Sequence, residues 1–112
     1  MGDIHYVNAH QYVDNPNRKV YNIDFDGTLT DGSSYSKLVP NRAMIGKVRE
    51  LYFLGNIIII WSARLWEDAR DVVAFCINHS LPFHGIMLGK GGTDIYVDDK
   101  AVNSKDFLKD QS

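Results

Sequence analysis

The segment Ile57-Ile58-Ile59-Ile60-Trp61 constrains the fold more than any other part of the chain, because it is apolar at every position. A strand with one face in water alternates apolar and polar residues. A strand apolar throughout suits the middle of a parallel sheet covered on both faces. Parallel neighbours must be joined by crossovers, usually helices, so shorter strands and amphipathic helices are expected on either side.

The flanking sequence supplies them. Lys19–Asp24 reads as a strand. Asn41, just after Pro40, is placed to cap a helix running to Leu54, with Gly55 as its stop. Met44, Ile45, Val48, Leu51 and Tyr52 recur there at helical spacing. A second helix is expected over Glu67–His79, its buried face marked by Leu65, Trp66, Ala69, Val72, Val73, Cys76 and Ile77. Glu67 and Asp68 suit its first turn, and Leu81-Pro82 ends it. Phe83–Leu88 and Asp94–Val97 read as two further strands. The order strand, helix, strand, helix, strand, strand predicts a Rossmann-like three-layer α/β fold with a mainly parallel sheet. Ligands of such folds bind beyond the carboxyl ends of the strands.

At 112 residues there is room for one core and one domain, assigned here to residues 19–112. Residues 1–18 read as a polar extension with weak strand character at Ile4–Val7 and Gln11–Val13, closing in the turn-like Asp14-Asn15-Pro16-Asn17. A short hairpin on the sheet edge is one reading of it. Twelve basic against fourteen acidic residues is no footprint of a dedicated nucleic-acid binder. The single cysteine, Cys76, excludes an internal disulfide and any multi-cysteine metal site, and it reads as an inert core residue. Trp61 and Trp66 also read as core. The Ile57–Trp61 run is far short of the ~20 apolar residues of a bilayer span. Met1-Gly2-Asp3-Ile4-His5 has neither a basic stretch nor an apolar run, so no signal peptide is expected and the chain reads as soluble and cytoplasmic.

Chemistry-bearing residues gather at the expected strand ends. The first strand runs into Asp24-Phe25-Asp26-Gly27-Thr28-Leu29-Thr30, and the second ends at Ser62, followed by Arg64. Lys90 follows the third strand, and Asp98-Asp99 ends the fourth. Four carboxylates on one sheet edge repel: at ~4 Å and an effective dielectric near 20, each like pair costs about 4 kcal/mol. A cation or bound protons must offset this. An oxygen-only set without His or Cys suits Mg²⁺, a hard ion that keeps waters and shares phosphate oxygens. His5, His10, His79 and His84 show no metal-ligand spacing.

A carboxylate such as Asp24 can attack phosphorus and form an aspartyl-phosphate. Asp26, two residues on, is near but differently aimed, and can protonate the leaving oxygen and then deprotonate water. Gly27 allows a sharp turn and a close approach of backbone amides to phosphate. Ser62 can hydrogen-bond a phosphoryl oxygen, and Lys90 can supply positive charge to the same oxygens and to Asp24. Arg64 either touches substrate or pairs with Glu67 or Asp68 three and four positions on. Lys100 competes with Lys90 for the lysine role.

The segment Val20–Thr30, a hydrophobic strand followed by Asp-Phe-Asp-Gly-Thr-Leu, resembles the first signature of the haloacid dehalogenase superfamily of phosphatases and phosphotransferases. Ser62 resembles its second motif, Lys90 its third and Asp98-Asp99 its fourth, in the paired-aspartate form. The resemblance implies a catalytic set of Asp24, Asp26, Ser62 and Lys90, substrate contacts at Gly27, Thr28 and Arg64, and Mg²⁺ held by Asp24, Asp26, Asp98 and Asp99. An EF-hand beginning at Asp24 is the rival reading of Asp-x-Asp-Gly, but it needs glycine where Leu29 stands.

Most members of that superfamily carry a cap domain. Here 38 positions separate Asp24 from Ser62 and 28 separate Ser62 from Lys90, which leaves no length for one. The loop over 31–39 is the one candidate flap. The expectation is therefore a capless phosphomonoester hydrolase whose open site takes a sugar phosphate, a nucleotide or a nucleic-acid end, or is covered by a second subunit. A catalytically silent binding module, a phosphotransferase and a polynucleotide 3′-phosphatase are the alternatives.

Overall fold

The computed structural model describes residues 17–91 and 94–109. The hairpin expected at Ile4–Val7 and Gln11–Val13 lies outside these residues.

Three parallel strands form the sheet: β1 (Val20–Asp24), β2 (Ile57–Trp61) and β3 (Gly85–Met87), in the order β1-β2-β3. The isoleucine run is thus the central strand. The pairing register aligns Ile23 with Ile60 and Ile86, and Asp24 with Trp61 and Met87, so Asp24 stands in the last row at the carboxyl edge. Because side chains alternate across a strand, Ile23, Ile58 and Ile60 share one face, and all three are buried. The opposite face is only half covered by the described residues: Val20 and Met87 are exposed, and Ile59 and Trp61 are half-buried. Expected coverage on both faces, and a core role for Trp61, are therefore met on one side only.

Helix α1 (Arg42–Phe53) starts as expected, with the Asn41 side chain accepting a 3.2 Å bond from the Met44 amide. It buries Met44, Ile45 and Val48 against the sheet. The second helix is shorter than expected. A 3-10 turn over Trp66–Asp68 leads into α2 (Ala69–Asn78), which buries Val72, Phe75 and Cys76. Leu65, Trp66 and Ile77 are exposed rather than core. The tighter winding of the 3-10 turn puts Trp66 out of phase with the helix stripe, and the apolar stripe of α2 is wider than the surface it meets. Phe25 and Phe75 meet edge to face at 5.2 Å, joining the β1 turn to α2.

The strand expected over Asp94–Val97 does not form: Ile95, Tyr96 and Val97 are exposed and unpaired with any strand. A last helix, α3 (Ser104–Lys109), which the sequence pattern does not signal, sets Phe107 against Tyr21, with the Lys47 ammonium 3.7 Å from the Phe107 ring centre. The result is a Rossmann-like α/β fold with a parallel sheet. Between β1 and β2 lie one turn, one loop and α1, and between β2 and β3 one helical segment, so neither interval houses a cap. Among the described residues no helix is long and apolar enough to cross a membrane.

Candidate active site

At the end of β1 the backbone leaves the sheet in a tight turn. Asp26 has φ −71°, ψ 125° and Gly27 φ 81°, ψ 1°, the pattern of a type II turn, whose third position requires the left-handed freedom of glycine. The Thr30 hydroxyl closes the turn by accepting from the Gly27 amide at 3.1 Å and the Gly32 amide at 3.2 Å. Gly32, at φ 76°, lies so near that a Cβ there would meet the Gly27 Cα at 3.1 Å. Gly27 is expected to leave backbone amides of this turn open to a phosphate, but its own amide is not among them. It is instead committed to Thr30, because the turn needs its own internal bonds.

The turn points Asp24 and Asp26 in different directions, towards different cations. The Asp24 side chain is 40% exposed; it forms an ion pair with Lys90 through Oδ1, and its Oδ2 accepts from the Thr28 hydroxyl at 3.3 Å. Thr28 thus holds Asp24 as placed. Lys90 is brought to β1 from the far side of β3: its amide donates to the Ser62 carbonyl at 3.1 Å, and its ammonium lies 5.0 Å from the Trp61 ring and 5.2 Å from the Tyr96 ring. Lys90, not Lys100, reaches Asp24.

Ser62 follows β2 and is buried, its amide bonded to the Met87 carbonyl at 2.9 Å. Its Oγ accepts from the Arg64 amide at 3.0 Å, which leaves its own hydrogen to donate. Through its side chain Arg64 bonds neither Glu67 nor Asp68, the partners three and four positions on. Its side chain is only 3% exposed and grips Asp26 with both prongs, Nε to Oδ2 at 2.9 Å and Nη2 to Oδ1 at 2.7 Å. That bond with Asp26, outweighing the effect of burial, pushes the guanidinium further above its ordinary value. Nη2 also donates to the Tyr35 carbonyl at 2.7 Å, and the guanidinium stacks 3.7 Å from the Tyr35 ring centre. The Tyr35 hydroxyl in turn donates to Asp68 at 2.7 Å, which raises its pKa. Sequence reasoning missed the Arg64–Asp26 pair, since nothing local joins residues 38 positions apart.

Asp98 and Asp99 are not drawn into this group. Both are exposed, and Asp98 Oδ1 accepts from the Lys100 amide at 2.7 Å in a local turn. Among the described residues no group of three or more His, Cys, Asp or Glu is gathered to hold a metal ion. The expected set of Asp24, Asp26, Asp98 and Asp99 is therefore not assembled, and the residues as placed do not fit the implied Mg²⁺. The physical reason is the missing fourth strand: without it nothing carries Asp98 to the sheet edge, and the two aspartates of the β1 turn are instead neutralised by Lys90 and Arg64.

No protein-family model matches the chain, and no curated protein matches it significantly. Among solved structures, the crystal structure of an MCSG target from Vibrio cholerae is similar, with a TM-score of 0.69 and 27% sequence identity. The likeness covers 80% of this chain and 87% of that one, so the α/β fold described above recurs there.

Proposed function

We propose that this chain is a small capless phosphomonoester hydrolase of the haloacid dehalogenase type, with Asp24 as nucleophile. The observation that carries the reading is the ion pair between Lys90 and Asp24, which joins the first and third motifs across the sheet with Ser62 between them.

An Asp24 oxygen attacks phosphorus in line and the bond to the ester oxygen breaks; Asp26, first protonated from solvent on an oxygen lone pair that Arg64 leaves open, delivers that proton to the departing oxygen. Asp26, now a carboxylate, takes a proton from water, whose oxygen attacks the aspartyl-phosphate and releases inorganic phosphate, regenerating Asp24. Lys90 offsets negative charge on the transferring oxygens. Because the residues as placed do not gather the acidic set that Mg²⁺ needs, no step is routed through the ion, and the assay with Mg²⁺ present and omitted reads whether one takes part.

The test is phosphate release from a panel of aryl, sugar, nucleotide and 3′-phosphorylated oligonucleotide esters, with Mg²⁺ present and omitted. Turnover that disappears in Asp24→Asn supports the reading. No release from any ester overturns it in favour of a silent binding module. Phosphate found on an acceptor makes the chain a phosphotransferase, and release confined to the oligonucleotide makes it a 3′-phosphatase.

A further inference from the structure

Arg64 is a buried cation with three side-chain hydrogen bonds, and the reaction as written gives it no step. It is buried, yet all its side-chain hydrogen bonds go to two places that differ in kind: both oxygens of Asp26, and the backbone of Tyr35 in the loop over 31–39. One nitrogen, Nη2, serves both. The loop's other ties are the Gly32 amide to the Thr30 hydroxyl at 3.2 Å, the Asp31 amide to the Val39 carbonyl at 2.9 Å, the half-buried Leu38 against the core, and at its crown the exposed Tyr35–Asp68 bond at 2.7 Å.

We infer that Arg64 is a positioning residue that makes the orientation of Asp26 and the closure of the 31–39 loop a single event. The inference rests on the proton-transfer role of Asp26 proposed above. A planar guanidinium that bonds both carboxylate oxygens fixes the carboxyl plane, leaving one lone pair on each oxygen for a proton. The same guanidinium keeps its own plane by stacking on the Tyr35 ring and bonding the Tyr35 carbonyl. If the loop lifts, Nη2 loses one partner and the ring that backs it, and Asp26 loses its fixed direction. The coupling is reciprocal, as coupling free energies are: releasing Asp26 loosens the loop.

Two measurements on the full chain decide this. The first is hydrogen exchange across residues 31–39 in the wild type, Asp26→Asn, Arg64→Lys and Tyr35→Phe. Losing one charge-assisted pair speeds exchange there about tenfold in Asp26→Asn, although residue 26 makes no bond to the loop, while α1 exchanges as before. Unchanged exchange in 31–39 in Asp26→Asn overturns the inference. The second is the ratio of turnover on p-nitrophenyl phosphate to that on glycerol phosphate. A good leaving group needs little help from an acid, so Arg64→Lys lowers turnover on the alkyl ester by about tenfold more than on the aryl ester. Equal losses on both would make Arg64 merely structural. If the wild type releases phosphate from neither ester, the hydrolase reading falls, while the exchange data still decide the coupling.

Discussion

Lys90 and Asp24, 66 positions apart, meet in an ion pair at the carboxyl ends of β3 and β1. Two short parallel strands with β2 between them bring the pair together, and the exposed segment that carries Lys100 stays outside it. Replacing Lys90 by Met removes the cation nearest the proposed nucleophile and is expected to lower turnover roughly 10²–10³-fold. Lys100→Met is expected to leave turnover unchanged. Steady-state assay of the two variants side by side checks the assignment.

Phe25 is fully buried and meets Phe75 edge to face, so it ties the turn after β1 to α2. Phe25→Ala leaves a cavity under that turn and is expected to cost about 3–5 kcal/mol, read as a lower urea midpoint at unchanged slope. A loss below 1 kcal/mol would show that the turn collapses onto the space without consequence.

The Asn41 cap closes the amino end of α1 through its bond to the Met44 amide. Asn41→Ala is expected to destabilise the fold by about 1 kcal/mol, and Asn41→Asp, which keeps an acceptor, by much less. Chemical denaturation of the two variants separates a capping effect from a packing one.

Burial pushes the Cys76 thiol up to about 12. Because the thiolate is the reactive form, the native protein is expected to resist alkylation by iodoacetamide at pH 8 and to react promptly once unfolded. Rapid labelling of the native chain would contradict the packing of α2 on the sheet.

His84 accepts from the Ile58 amide through Nδ1 at 3.0 Å and stacks on Tyr52 at 4.8 Å. Burial, with the charge of Arg18 adding to it, holds its pKa below the ordinary 6.5. The folded value is thus depressed relative to the unfolded one, so the unfolded chain takes up the proton first. Stability from this site is complete above pH 6.5 and is lost as pH falls through the lower, folded value. Unfolding free energies measured from pH 8 to pH 5 are expected to fall in the wild type and to fall less in His84→Gln.

Much of the architecture is legible along the chain because it depends on neighbours in sequence. The isoleucine run marks a central strand, Asn41 marks a helix start, and Asp26-Gly27 marks a turn that only glycine completes. The reading of Lys90 as the partner of Asp24 came from motif order at strand ends, which the parallel register brings together. What misled was apolar pattern without a surface to meet it. Asp94–Val97 has strand composition but pairs with no strand among the described residues, and Trp66 and Ile77 have helix-face spacing but are exposed there.

By itself the sequence determined the three strands of the sheet, the helix cap and a sharp turn at Gly27, since backbone preference and hydrophobic period act over a few residues. Only the tertiary structure decided which charges meet. It gave Asp24 to Lys90 and Asp26 to Arg64, and it left Asp98 and Asp99 outside, because long-range pairing depends on which strand ends the sheet holds side by side.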